Sequence, residues 1–357
     1  MSTSAASNFK RARSLDEEPA SSKTIGTHSG SFQADEAMGV WLLRQLPAYR
    51  RSKVVRSRDP AVLDKLDIVI DVGGVYDHAV LRYDHHQRGY DERFDEGRKN
   101  DPRGRVTKLS ASGLVYRHYG KQVLQEFYPD LSGDLLDLAY LKIYDKLLEA
   151  LDAIDTGVEM APPGVAVLYR DNTGLSARIS RLNPRWNEID PATGTKPSFD
   201  ERFEEAVETC GRDFLSVMAV VVESDIPARK FVEDALLQRH ATDPSGEIVC
   251  LPEGGMPGRD HVYELEKEHG VTGDSLIKFV LYQDISNMWR VQAVTVEGRG
   301  FENRLSLPEA WRGVRDQDLA GISKIPSARF CHAAGFIGGA DTYEGVLAMA
   351  KAALATK

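Results

Sequence analysis

Residues 24–154 alternate between short apolar segments and longer segments with helical spacing, and this alternation restricts the fold more than any other feature. The strand-like segments are residues 54–56, 67–72 and 79–83. The helix-like segments are residues 37–46, 110–127 and 131–154. Strands that alternate with helices predict a parallel sheet with both faces covered, so the predicted fold class is α/β.

Composition predicts a globular protein outside the secretory route. Of the 357 residues, 42% are hydrophobic and 28% are charged, which is ordinary for such proteins. No apolar run reaches the roughly 18 residues that a membrane span requires. Only three cysteines occur, which excludes a disulfide framework and suits a reducing compartment. A net charge of -9 excludes a generally basic protein that coats nucleic acid, but not an enzyme that acts on it.

The chain divides into three predicted regions. Residues 1–22 have the composition of a disordered tail, and their early basic residues are typical either of a mitochondrial or nuclear address or of an ordinary tail. An N-terminal domain is predicted at residues 23–190 and a C-terminal domain at 200–357. Residues 183–200, with three prolines, are the predicted linker.

Metal-binding residue types follow the predicted strands. Asp71 ends the apolar segment 67–72 and precedes two glycines that let other groups approach the backbone. Asp84, His85 and His86 follow the next segment. In open parallel sheets, ligand sites form beyond the carboxyl ends of strands, so we expect these residues to lie together. Adjacent histidines point to different sides, so one can bind a metal while the other contacts a substrate oxygen.

Two further segments supply candidate ligands. Residues 28–36 contain His28 and Asp35. Asp155 lies in the last turn of a predicted helix, where the helix dipole disfavours a carboxylate by roughly 0.3–1 kcal/mol unless a cation is present. Asp155 is therefore a predicted ligand, and Asp152, one turn earlier, is predicted to orient the ligands.

The donor types predict two divalent ions. Carboxylates mixed with imidazoles, without thiolates, indicate Mn²⁺ or Mg²⁺, with Mn²⁺ preferred and Zn²⁺ less favoured. Two such ions about 3.5–4 Å apart activate water and neutralise a phosphoryl group. One carboxylate must bridge them, and Asp71 is the predicted bridge.

Two other features suggest phosphate binding. Residues 330–339 are rich in small residues around His332 and precede the last predicted helix, where free backbone N–H groups form an anion site; Arg304 and Arg329 lie near in sequence. The densest basic stretch, at residues 44–58, allows either a nucleic-acid contact or a solvated surface.

Together these segments resemble the DHH phosphoesterase superfamily, and more closely its Myg-type branch, the melanocyte proliferating gene proteins. The resemblance extends over nearly all of residues 24–350. The segments that carry it are residues 26–32, 71–77, 83–87, 150–155 and 175–178, then Asn183, Pro184 and Trp186, and residues 331–339. It implies a parallel-sheet DHH-like N-terminal domain with a smaller α/β C-terminal domain that binds substrate.

The resemblance also implies roles for individual residues. The implied ligands are His28, Gln33 and Asp35 for one ion, Asp71 as the bridge, and His85 and Asp155 for the other ion. The predicted catalytic residues are Asp71, Asp84 and His86. The predicted substrate-binding residues are His86, Ser176, Arg178, Arg304, His332, Gly338 and Gly339. Gln33 departs from the family, which has His in its Phe-His-x-Asp-Glu motif, and a neutral amide predicts weaker binding of the first ion.

Three functions follow as hypotheses. The resemblance favours a 3′–5′ exoribonuclease acting in the nucleus and mitochondrion, with the cytoplasm as an alternative location. The acidic net charge favours a phosphohydrolase acting on a nucleotide or pyrophosphate instead. Gln33 suggests a binding protein with weakened catalysis. RNA or another oligonucleotide is the predicted partner, no membrane is expected, and the oligomeric state stays open.

Overall fold

A computed structural model describes residues 23–94, 105–162 and 164–356. The predicted tail at residues 1–22 lies outside these ranges. The chain forms two compact units that divide between Val221 and Val222. This boundary lies beyond the predicted linker, because the helix that follows the linker packs within the first unit.

The first unit contains a five-stranded sheet and its covering helices. Its strands are β1 Thr24–Thr27, β2 Lys53–Arg56, β3 Ile68–Ile70, β4 Tyr76–Asp77 and β5 Arg82–Tyr83. Its helices are α1 Ala34–Gln45, α2 Pro60–Leu63, α3 Ala111–Phe127, α4 Gly133–Ile143, α5 Glu149–Asp155, α6 Leu175–Ser180 and α7 Phe199–Val220.

The sheet has the strand order β2-β1-β3-β5-β4. The first four strands are mutually parallel, and β4 pairs antiparallel with β5 at the edge. The predicted parallel sheet is therefore confirmed. The predicted strand at residues 79–83 is shorter than expected, because a 3-10 turn occupies His78–Val80 and Leu81 adopts a left-handed φ of 56°. The two remaining residues of β5 still lead directly into Asp84.

Helices α1, α3 and α7 pack together in the core of the first unit. Met38 and Leu42 of α1 are fully buried, and Trp41 packs against Phe214 of α7 with a ring-centroid distance of 5.2 Å. Gly211 of α7 leaves room for Trp41, since a Cβ atom there would lie 1.9 Å from the indole nitrogen. These contacts explain why α7 belongs to the first unit.

The helix predicted at residues 131–154 is interrupted. A π-helical turn at Tyr144–Leu148 separates α4 from α5. The turn places Tyr144 in the core, where its hydroxyl donates a 2.8 Å hydrogen bond to Asp152. Asp155 remains at the end of α5, as predicted.

The second unit is also α/β, but its sheet is mostly antiparallel. Its strands are β6 Ile248–Cys250, β7 Phe279–Gln283, β8 Trp289–Ala293, β9 Thr295–Val296, β10 Arg299–Asn303, β11 Ala328–Cys331 and β12 Ile337–Ala340. Its helices are α8 Ile226–Leu237, α9 Arg239–Thr242, α10 Arg259–Glu268, α11 Asp316–Ser323 and α12 Tyr343–Leu354. The main sheet has the order β11-β12-β8-β7-β6, with only β6 and β7 parallel.

The glycine-rich segment 330–339 forms most of a β-hairpin made by β11 and β12, which corrects the expectation of a loop with free N–H groups. Gly338 and Gly339 lie in β12, between β11 and β8, so their backbone belongs to the sheet. A Cβ atom on Gly338 would lie 2.7 Å from Cε of Met349 in α12 and 3.1 Å from the Phe330 carbonyl oxygen, so a larger residue would require these neighbours to shift. In the ranges that the structure covers, no helix has the length and apolar character that crossing a membrane requires.

Candidate metal centre

The candidate residues of the first unit come together at one edge of its sheet. Because β1, β3 and β5 are parallel, the residues that follow them emerge at the same side. The residues at this edge are His28 after β1, Asp71 after β3, Asp84, His85 and His86 after β5, Asp35 and Glu36 in the first turn of α1, and Asp155 in the last turn of α5.

Asp71 lies at the middle of this cluster. Its backbone has a left-handed φ of 56°, a conformation that Asp tolerates better than most residues, and its N–H donates to the Tyr83 carbonyl at 3.0 Å. Its Oδ2 lies 3.3 Å from His28 Nε2, and its Oδ1 lies 3.7 Å from His85 Nδ1. Burial raises the pKa of Asp71 to about 6, although its hydrogen bond with His28 opposes the shift. Asp71 thus contacts both halves of the cluster.

One half consists of His28, Glu36 and Asp71, whose candidate ligand atoms all lie within 4.8 Å of one another. His28 Nε2 lies 3.0 Å from Glu36 Oε1. Burial of the His28 ring works against its protonation, but hydrogen bonds to Asp71 and Glu36 outweigh burial and raise its pKa to about 10. A metal ion would have to displace this proton, since only a neutral imidazole binds metal.

The other half consists of Asp35, Asp71, His85 and Asp155, again with ligand atoms within 4.8 Å of one another. His85 Nε2 lies 3.0 Å from Asp155 Oδ2. The geometry groups Asp35 with this half, whereas the resemblance had implied that Asp35 shares an ion with His28.

The donor set fits a divalent cation. Both carboxylate oxygens of Asp35 are buried and have no hydrogen-bond partner among the described residues, and the same holds for Asp71 Oδ1. Burial, followed by the negative charges of Asp71 and Glu36, raises the pKa of Asp35 well above its ordinary value. Buried carboxylates without partners are costly unless a positive charge compensates them. Hard oxygen donors mixed with imidazole suit such an ion.

Asp84 fixes the orientation of His86. Its buried carboxylate accepts hydrogen bonds from Gly74 N–H at 2.5 Å, from His86 N–H at 3.0 Å and from His86 Nδ1 at 2.7 Å. The His86 side chain is 63% exposed, whereas the His85 side chain is 10% exposed. His85 therefore lies among the buried donors and His86 at the surface; their roles as metal ligand and substrate contact stay predictions.

The side chain of Gln33 is exposed. Gln33 immediately precedes α1, and its backbone N–H donates to Glu36 Oε1 at 2.9 Å. Glu36 itself was not predicted as a ligand, although it lies in the cluster. The spacing of Gln33 and Glu36 is that of a capping box, so the sequence indicates that Glu36 lies in the first turn of a helix, next to the His28 loop.

The loop that carries His28 is braced by residues from elsewhere in the chain. The side-chain amide of Asn183 accepts from Phe32 N–H at 2.9 Å and donates to the Phe32 carbonyl at 2.8 Å. Arg56 donates to the Gly30 carbonyl at 2.7 Å, and Arg58 donates to the Ser29 carbonyl at 3.2 Å. The sequence does not predict these contacts, because they join residues that are far apart along the chain.

Three of the six cations in the basic stretch pair with carboxylates of the first unit. Arg44 pairs with Glu204, Arg50 with Glu126 and Arg56 with Asp200. Within the described ranges, Arg58 forms no ion pair with a carboxylate. It is exposed, and its Nη2 lies 3.1 Å from His28 Nδ1, so it lies beside the cluster.

Asp152 does not point to the cluster. Its carboxylate receives five hydrogen bonds from the start of α3 and from Tyr144. Burial raises its pKa to about 7, although the bonds from Ser110 and Tyr144 oppose the shift. Asp152 caps a helix instead of orienting a ligand, which corrects its predicted role.

Two predicted substrate-binding residues of the first unit lie in α6. Arg178 forms an ion pair of 2.6 Å with Asp213 of α7, and Ser176 is half-buried in the first turn. Their contact with substrate stays a prediction.

The other predicted substrate-binding residues belong to the second unit. Arg304 forms two hydrogen bonds with the buried Glu266, at 2.7 and 2.8 Å, so its charge is already compensated. His332 is exposed in the turn between β11 and β12, where its Nδ1 accepts from Ala334 N–H at 3.1 Å. Arg329 pairs with Asp341.

The fold and the site define a class of protein: an α/β protein with a buried carboxylate–histidine cluster able to hold divalent ions at the carboxyl edge of a parallel sheet. Residues 24–354 match the MYG1 exonuclease family model, described as "Uncharacterised protein family (UPF0160)". The chain belongs to this family.

Relatives from distant eukaryotes match over almost the whole chain. The MYG1 protein of Dictyostelium discoideum is 44% identical over 92% of this chain and 95% of its own length. The MYG1 exonuclease of Homo sapiens is 43% identical over 93% of this chain and 86% of its own length. The MYG1 protein of Saccharomyces cerevisiae is 41% identical over 94% of this chain and 96% of its own length. The resemblance inferred from the sequence is therefore confirmed.

Proposed function

We propose that this protein is a metal-dependent phosphodiesterase that removes nucleotides from the 3′ end of RNA. The observation that carries the proposal is the set of buried, unpartnered carboxylate oxygens around Asp71, which requires positive charge. The names of the human and rat relatives, both MYG1 exonuclease, support a nucleic acid as substrate. The nuclear and mitochondrial location belongs to the same proposal and rests on the family resemblance alone.

The candidate ligands would hold two divalent ions, with Mn²⁺ favoured over Mg²⁺. When bound, such ions lower the pKa of a water molecule and neutralise charge on a phosphoryl group. The chain's own residues position the substrate. His86, oriented by Asp84, presents its second ring nitrogen at the surface, where the protonated ring would donate to a phosphate oxygen. Arg58 provides an uncompensated guanidinium beside His28 for a second phosphate contact.

A labelled oligoribonucleotide tests the proposal. With Mn²⁺ present, we expect a 5′-labelled oligomer to shorten stepwise, and a 3′-phosphate block to slow the reaction. Mononucleotide phosphates serve as the comparison in the same buffer. If the protein cleaves no oligomer but hydrolyses the mononucleotide phosphates, the proposal is wrong.

That outcome would favour the second candidate, a phosphohydrolase acting on a nucleotide or pyrophosphate. The specific observation in its favour is that half of the cations in the basic stretch are paired. Arg44, Arg50 and Arg56 pair with carboxylates of the same unit, so they offer little free charge for a polymer backbone.

Arg58→Met tests the phosphate contact. A charged hydrogen bond to phosphate contributes roughly 1.5–3 kcal/mol, so we expect KM for the oligomer to rise at least about tenfold while kcat changes less. Lys53→Met is the matched control, because Lys53 is an exposed cation at the opposite end of β2. Equal KM values for the two variants would argue against a role of Arg58 in binding.

A further inference from the structure

Glu36 has a buried carboxylate whose two oxygens have different surroundings. Glu36 is 0% exposed. Its Oε1 accepts from Gln33 N–H at 2.9 Å and lies 3.0 Å from His28 Nε2. Its Oε2 is buried and has no hydrogen-bond partner among the described residues. Capping of α1 therefore accounts for one oxygen only.

An acidic residue in the first turn of a helix is by itself ordinary, because it favours the positive end of the helix dipole. A capping carboxylate normally keeps its second oxygen in water or in a hydrogen bond, since a buried polar atom without a partner is costly. Glu36 does neither. Its candidate ligand atom lies within 4.8 Å of those of His28 and Asp71, so its carboxylate is directed into the cluster.

Gln33 offers the opposite properties. Its side chain is exposed, and its amide is neutral. Its position before α1 is fixed by the backbone hydrogen bond to Glu36. A divalent ion prefers a charged oxygen donor over a neutral amide when both are within reach.

We infer that Glu36, and not Gln33, completes the ligand set with His28 and Asp71 for one of the two divalent ions. This inference rests on the proposed metal dependence and names a ligand that is absent from the set implied by the family resemblance. Position 33 then acts through its backbone, which holds the Glu36 carboxylate in place. The loss of the family's histidine at this position leaves a site built from an imidazole and two carboxylates.

Metal content without substrate tests the inference. Wild-type protein, Glu36→Gln and Gln33→Ala are loaded with Mn²⁺, freed of excess ion and measured by native mass spectrometry, with Kd values from titration calorimetry. We expect Glu36→Gln to hold one ion fewer than the wild type, or to bind it at least about tenfold more weakly. Gln33→Ala is expected to match the wild type. The glutamine oxygen in Glu36→Gln still accepts from the residue 33 N–H, so the thermal midpoint should change little.

An unchanged ion count and Kd in Glu36→Gln would overturn the inference, as would loss of an ion in Gln33→Ala. If Glu36→Gln does not fold, the result for Gln33→Ala is decisive. An unchanged number of bound ions in Gln33→Ala supports Glu36 as the ligand, and the loss of one ion rejects the inference. A wild-type protein that holds no ion would refute the metal dependence of the proposed function as well. A wild-type protein that holds ions but cleaves no oligomer would refute only the proposed substrate.

Discussion

Replacing Asp71 with asparagine is expected to abolish phosphodiesterase activity, with kcat falling by about 10³-fold or more. Asp71 contacts His28 on one side and His85 on the other, so its charge serves both halves of the cluster. Loss of charge stabilisation worth several kcal/mol corresponds to such a factor. Turnover of an oligoribonucleotide in Mn²⁺ and the ion count per chain measure the effect.

The Asp71→Asn variant should still fold. Asparagine also tolerates the left-handed φ of 56° at this position, and the hydrogen bond to Tyr83 comes from the backbone. Asp67→Asn is a matched control, because Asp67 precedes the same strand at its opposite end and binds Thr24. We expect activity within about twofold of wild type in the control. More than a tenth of wild-type turnover in Asp71→Asn would contradict the central role of Asp71.

Replacing Asp152 with alanine is expected to destabilise the first unit by about 3–5 kcal/mol without removing any candidate ligand. Asp152 Oδ1 accepts from Ser110 N–H at 3.1 Å, Ser110 Oγ at 2.7 Å, Ser112 Oγ at 3.2 Å and Gly113 N–H at 3.0 Å. Its Oδ2 accepts from Tyr144 at 2.8 Å. Alanine would leave these buried donors without an acceptor, and the free energy of unfolding from urea titration measures the loss.

Tyr144→Phe is the control for Asp152→Ala, since it removes only one of the five hydrogen bonds. We expect it to cost about 1 kcal/mol. Equal destabilisation by the two variants would show that the start of α3 does not depend on the Asp152 carboxylate.

The sequence predicted the first unit's sheet well because its signals are local. Each strand, and the polar residues directly after it, can be recognised from a few neighbouring positions in the sequence. Parallel pairing of the strands then brings His28, Asp71 and His85 together. Asp155 could be predicted as a ligand for the same reason, because its position at a helix end is a local feature of the sequence.

Features that depend on contacts between residues far apart in the sequence could not be predicted from the sequence. Gly338 and Gly339 have the composition of a loop, yet they pair with Val291 and Arg290 of β8 and form a strand. Arg44 and Arg56 belong to a basic stretch in the sequence, but their carboxylate partners lie in α7, 160 and 144 residues later. Such neutralisation appears only when the helices are packed.

Glu36 was missed for a different reason. Asp35 and Glu36 are adjacent carboxylates in one helix turn, and the sequence does not show which ion each of them faces. In the folded chain Asp35 groups with His85, and Glu36 groups with His28.

The two hydrogen bonds between Asn183 and Phe32 have a consequence for how a newly made chain folds. The loop that carries His28 is closed by a residue 151 positions later. While the ribosome is still making the intervening segment, the strand and the histidine have already emerged, but the amide that closes the loop has not. The finished geometry of the cluster therefore requires that more than half of the chain has been made, so that Asn183 has left the exit tunnel.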